Sequence, residues 1–138
     1  MFERILLAID ASAQKSTVLD AAESLAKLSH GEVRVLHVRE FGFAGRAGQV
    51  DLEDKAEAHQ LVDGAVDQLV SAGIGATGVV RGALHGHAAG EILDEATSSG
   101  STVIVLGSRG HTELVGLIIG STTHKVLHLG TLPVLVVR

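Results

Sequence analysis

Two glycine-flanked segments hold the residues best suited to chemistry. Gly107-Ser108-Arg109-Gly110 is followed, after nine residues, by Gly120-Ser121-Thr122-Thr123. The first two glycines follow an apolar run, and the third opens a segment whose first residues carry hydroxyls. Such a pattern suits a phosphate chain. Glycine lets backbone N–H groups approach an anion with no Cβ in the way, and a helix N-terminus adds unpaired donors and a positive dipole end. Ser121 and Thr122 can donate further hydrogen bonds, and Arg109 can neutralise charge. The same glycines also suit a plain strand–turn–helix junction, and their spacing alone leaves both readings open.

Asp10 is the second candidate, at the end of the apolar run Arg4 to Asp10. In an open α/β sheet, ligands sit beyond the carboxyl ends of the strands where the strand order reverses. If the runs ending at Asp10 and Gly107 are neighbours there, the carboxylate and the glycine loop face one crevice. Asp10 could equally be a turn or N-cap residue leading into the first helix, a task open to Ser12 as well.

The elements that must position these residues follow from hydrophobic period. Strands are predicted at Arg4–Asp10, Glu32–Val38, around Val79-Val80 (the weakest), at Thr102–Leu106 and at Leu132–Val137. Helical faces are marked by Val18, Ala22, Leu25 and Ala26, with Gly31 as the stop; by Leu52 through Leu69, ending near Gly73; and by Ala89, Ile92, Leu93 and Ala96, stopping at Gly100. A short helix is predicted over Ser121–His128, and residues 41–50, rich in glycine, read as a mobile loop. Alternating strands and helices point to a doubly wound α/β fold: one parallel five-stranded sheet, order 3-2-1-4-5, with helices on both faces. No linker or repeat divides residues 1–138, so one domain is expected.

Asp10 after the first strand, the spacing Gly107-x2-Gly110-x9-Gly120-Ser121, and the ending KVLHLGTLPVLVVR together resemble the universal stress protein family, in the branch that binds ATP. The resemblance spans the chain and implies the same sandwich fold. It implies that Asp10 contacts the adenosine, that Ala8 and Ile9 line the adenine, and that the backbone of Val38 reads the adenine edge. Leu106 and Gly107 would meet the ribose and first phosphates. Gly110, Gly120, Ser121 and Thr122 would hold the phosphate chain, with a divalent cation, Mg2+, bridging phosphates. Arg109 lies inside the motif at a variable position. His85-Gly86-His87 departs from the family pattern, which more often has a capping Asp, Ser or Pro there. The resemblance also implies a homodimer paired through the last strand, residues 131–137, whose apolar edge is otherwise an association hazard.

Other motifs are decoys. Gly73-Ile74-Gly75-Ala76-Thr77-Gly78 satisfies G-x-G-x-x-G, yet it leaves a helix and enters a strand, the reverse of a dinucleotide fingerprint. His124 and His128 have ligand spacing without an acidic partner in the same turn, and no cysteine is present to complete a zinc site. A Walker-type Gly-Lys-[ST] is absent. The acidic segment 51–57 reads as the solvated first turn of a helix.

Composition removes further classes. A net charge of −5 and only three aromatic residues disfavour nucleic acid and anionic membranes as partners. The apolar runs are far shorter than the roughly 18 residues of a spanning helix, and the start MFERILLAID lacks a signal-peptide pattern. The expectation is a cytoplasmic ATP-binding stress-response protein, a nucleotide-dependent sensor with little or no hydrolysis. The alternatives are a slow ATPase or phosphoryl-transfer enzyme in the same crevice, with Arg109 and His111 as its ionisable groups, and a structural dimeric adaptor with a vestigial site.

Overall fold

A computed structural model describes residues 1–12, 14–108 and 119–138. Arg4–Ala8 (β1) is buried on both faces, as its unbroken Ile-Leu-Leu requires: Ile5, Leu6 and Leu7 are all fully buried. It pairs in parallel with Glu32–Phe43 (β2) on one side and Val103–Gly107 (β5) on the other. Beyond β2 lies Ala76–Leu84 (β4), and beyond β5 lies Val134–Val137 (β6), both parallel. The order β4-β2-β1-β5-β6 is the expected 3-2-1-4-5 path.

Strand alternation divides the core in two. Ile5, Leu7, Val33, Val35, Val103 and Val105 pack against Lys15–Ser29 (α1) and Lys55–Ser71 (α2). Leu6, Leu36, Ile104 and Leu106 point to the other face, under Ala88–Ser98 (α3) and Ser121–Leu129 (α4). With so few aromatic side chains, this core is aliphatic throughout.

Several sequence expectations need correction. The glycine-rich stretch 41–50 is not a mobile loop. β2 runs on to Phe43, a 3-10 turn spans Gly45–Ala47, and Gln49–Asp51 (β3) returns antiparallel on β2. The sheet therefore has a sixth, antiparallel strand besides the five expected. Phe41 pairs with Leu84 of β4 along one edge and with Asp51 of β3, so β3 lies along the opposite edge. That is the side on which β1 has already ended at Ala8, paired with Leu36. β3 is thus carried above the carboxyl end of β1.

Leu52 is not on a helical face: it is exposed, and α2 starts at Lys55. Asp54 is its N-cap, accepting from the amides of Ala56 at 2.7 Å and Glu57 at 3.0 Å. The third strand is nine residues long, not a weak pair of valines. α1 ends at Ser29, and His30, at φ 53°, takes the left-handed cap one residue before the expected stop at Gly31. Gly31 is small for another reason: a Cβ there would sit 2.8 Å from the Glu3 carbonyl oxygen.

Candidate functional site

A crevice of about 300 Å³ opens beyond the carboxyl ends of β1 and β5, against the stretch of β2 from Leu36 to Glu40. This is the switch point of the sheet, where the chain leaves β1 for β2 on one side and β5 lies on the other. Nine of the eleven sequence-predicted residues line it: Ala8, Ile9, Asp10, Val38, Leu106, Gly107, Gly120, Ser121 and Thr122. Arg109 and Gly110 lie outside the described residues, as does His111.

Asp10 follows β1 directly. Its Oδ1 accepts from the Ser12 amide at 2.9 Å, closing an Asx turn that starts the passage into α1. The N-cap of α1 is Gln14, whose side chain makes no capping bond, so neither Asp10 nor Ser12 caps the helix. Gln14 Nε2 instead reaches Ser108 Oγ at 3.4 Å, across the mouth between β1 and β5.

The glycine motif is drawn together at its two described ends. The Ser108 amide donates to the Val137 carbonyl and the Gly120 amide to the Ser108 carbonyl, each at 2.7 Å. Thr123 Oγ1 donates to the Gly107 carbonyl, also at 2.7 Å. α4 thereby begins against the end of β5, with Gly120 as its N-cap and no side-chain cap among the described residues. The first intrahelical bond runs from the His124 amide to the Gly120 carbonyl. The amides of Ser121, Thr122 and Thr123 precede it and have no partner among the described residues, the donors of a helix start, facing the crevice with two hydroxyls beside them. The Gly120 amide is already used, so the donors come from the residues after it.

Sequence reasoning missed the charged wall opposite. Lys15, His37, Glu40, Glu53 and His85 also line the crevice. His37 is 3% exposed, its Nδ1 lying 2.8 Å from the Ile9 carbonyl oxygen and its Nε2 2.6 Å from Glu53 Oε2. His85 Nδ1 lies 2.6 Å from Glu40 Oε2, with the ring 77% exposed. Arg39 NH1, 2.8 Å from Asp51 Oδ1, holds that carboxyl below its usual range and ties β3 to β2. The acidic segment 51–57 is thus in part the solvated helix turn expected, with Asp54 capping α2 and Glu57 exposed in its first turn, while Asp51 and Glu53 are drawn to Arg39 and His37. Alternation in Glu32–Val38 places His37 on the α1–α2 face with Val33 and Val35, a signal that a histidine inside an apolar strand needs partners.

Gly73, at φ 81°, ends α2, and Gly78 sits inside β4 where an added Cβ would collide with Val62. His124 and His128 stack with ring centroids 6.2 Å apart. Among the described residues, no three His, Asp or Glu side chains gather to hold a metal ion, and no helix is long and apolar enough to cross a membrane. His87 precedes α3 without a side-chain cap, so the departure at 85–87 leaves that helix start intact.

The sequence model of the universal stress protein family matches residues 1–138. Universal stress protein YxiE of Bacillus subtilis is 33% identical over 151 residues, with both chains fully covered. A universal stress protein structure from Archaeoglobus fulgidus superposes with TM-score 0.78 at 25% identity, and one from the same organism in complex with dAMP with TM-score 0.75 at 24%. Both comparisons cover all of each chain. The strand order, the crevice at its switch point and the full-length family match agree: this chain belongs to the universal stress protein family.

Proposed function

We propose that the chain is a cytoplasmic ATP-binding protein of the stress response, a nucleotide-dependent sensor that retains ATP with little or no hydrolysis. The observation that carries this reading is the gathering of Asp10, Val38, Gly107 and the start of α4 around one crevice. Asp10, Ala8, Ile9 and Val38 form the adenosine end. Leu106 and Gly107 take the ribose and first phosphates. The Ser121 and Thr122 amides and hydroxyls supply the donors a phosphate chain needs, with Gly120 setting where the helix begins. Lys15 adds a cation, and Arg109 and Gly110 belong to the same motif. An Mg2+ ion would be held through the phosphates. Bound dAMP in a relative of the same fold supports an adenine nucleotide as the ligand class.

Little hydrolysis follows from where the carboxylates are. Glu40 and Glu53 stand on the β2 side, beside the adenine end, and each is bound to a histidine. Neither is placed by these contacts to activate water at a terminal phosphate. We further propose a homodimer through the β6 edge, residues 131–137, since among the described residues β6 pairs with β5 alone.

The deciding experiment is acid release of nucleotide from the purified protein, followed by chromatography and calorimetric titration with ATP and Mg2+. ATP should be recovered intact and bind with measurable heat. Recovery of no adenine nucleotide together with no heat would overturn the reading, and steady multiple-turnover phosphate release would favour the enzyme. Gly120→Val should weaken binding at least tenfold by displacing the start of α4.

A further inference from the structure

We propose that His37 and Glu53 are positioning residues for this crevice that share one proton, so that nucleotide binding is linked to its uptake; the linkage rests on the nucleotide reading above. The Ile9 carbonyl can only accept, so His37 Nδ1 carries a hydrogen across the 2.8 Å contact. At 2.6 Å, Nε2 and Glu53 Oε2 also need a hydrogen between them. It sits on the imidazole as a cation or on the carboxyl as a neutral acid. In either form the pair holds one proton more than a neutral histidine beside a carboxylate. Without it, a ring lone pair would face a carboxylate oxygen in a buried place, and the contact would open.

What the contact holds together gives it a role. Ile9 is the residue before Asp10, and its amide still donates to Leu36 at 2.9 Å. Glu53 lies between β3, which ends at Asp51, and the α2 cap Asp54. His37 therefore clamps the β3–α2 corner onto the end of β1, the two walls between which the adenosine end of the crevice lies. The protonated pair is neutral overall, whereas the deprotonated pair adds a negative charge beside an anionic ligand. Geometry and charge both favour binding by the protonated form.

The other ionisable groups around the crevice are Asp10, Lys15, Glu40 and His85, with Arg39 and Asp51 tying β3 to β2. His85 differs in kind from His37. Among the described residues its Nδ1 alone meets an acceptor, so a neutral ring satisfies Glu40 by carrying its single hydrogen there.

The test combines histidine 15N spectra of the nucleotide-free chain with ATP titrations across pH. With the Glu53 carboxyl 13C signal followed alongside, the bridging proton should be found at about pH 6 either as a second ring N–H of His37 or on the Glu53 carboxyl, and be lost in a single step as pH rises. ATP affinity should then fall towards about tenfold per pH unit above that step. Glu53→Gln can donate from its amide to Nε2 of a neutral ring, so it keeps the clamp without the proton: affinity stays within about threefold of the low-pH wild-type value and the slope disappears. Glu53→Ala should lose affinity throughout. The ATP itself titrates identically in every arm, and Glu53→Gln leaves His85 and Glu40 in place. An unchanged slope in Glu53→Gln, or a wild-type His37 ring with a single hydrogen at about pH 6 beside a charged Glu53, overturns the proposal. If wild type binds no ATP at any pH, the nucleotide reading falls and the linkage with it, while the ring-proton count still decides the shared proton.

Discussion

Thr123 Oγ1 donates to the carbonyl of Gly107 at 2.7 Å, fastening the first turn of α4 to the last residue of β5. Both partners come from the two ends of the glycine motif, and the hydroxyl is buried. The bond does for the site what spacing alone cannot: it sets the height at which the free amides of α4 stand over the crevice.

Thr123→Val keeps the shape and removes the donor. It leaves the Gly107 carbonyl without this partner, which should destabilise the chain by about 1–2 kcal/mol. ATP affinity should drop further than stability does, because the helix start loses its anchor. Urea denaturation and calorimetry on the same preparations compare the two losses. Equal affinity in the variant would mean that the anchor does not set the site.

Glu95 is a second buried polar group, held away from the crevice. Arg34 Nε donates to its Oε1 at 2.9 Å and Arg81 NH1 to its Oε2 at 3.1 Å, with the glutamate side chain only 8% exposed. Glu95→Ala removes one partner from each guanidinium, but Arg81 keeps Glu91 at 2.7 Å, Arg34 keeps the Thr77 hydroxyl at 3.2 Å, and both are about a third exposed to water. The cost should therefore fall below that of a fully buried pair, at about 2 kcal/mol. ATP binding should be unaffected. A loss of under about 0.5 kcal/mol in urea unfolding would show that the network contributes nothing net.

What could be read from the chain, and what could not, divides by the range of the cause. The five parallel strands, the crevice-lining Asp10 and the Gly107–Ser121 motif were legible because backbone approach and period are local properties. β3 was not legible. It has three residues, and its pairing depends on how far β2 extends past β1. Asp51 and Glu53 look like ordinary acidic residues before a helix until the fold brings Arg39 and His37 to them. Gly78 completes a false fingerprint in the sequence, yet its use is to let α2 approach the sheet at Val62. His30 takes a backbone conformation expected of glycine, while the glycine after it is kept small by the Glu3 carbonyl.

The Arg39–Asp51 pair predicts a pH response of β3. The Arg39 guanidinium, 2.8 Å from the carboxylate, lowers the Asp51 pKa in the folded chain. A depressed carboxyl contributes stability that is present above its unfolded value, about 3.9, and is lost as pH falls through the folded value. The carboxyl 13C signal of Asp51 should titrate below that reference. Arg39→Gln should return the midpoint to it, and salt should move the wild type the same way, since the carboxylate is exposed. Identical midpoints in wild type and Arg39→Gln would remove Arg39 as the cause.

The β6 edge predicts an assembly state. Leu135 is 40% exposed on a strand that among the described residues pairs with β5 alone, and Leu127 and Leu129 of α4 are also exposed. An apolar strand edge left open in this way recruits another strand. If two copies pair antiparallel along residues 131–137, Leu135→Lys brings two like charges close to the two-fold axis. Sedimentation at low micromolar concentration should then show a wild-type dimer and a variant monomer. Substitution at an exposed position should itself change folding stability by no more than about 0.5 kcal/mol. Any larger fall in the melting temperature would then come from lost association and should depend on protein concentration. A wild type that sediments as a monomer would exclude the pairing, whatever the variant does.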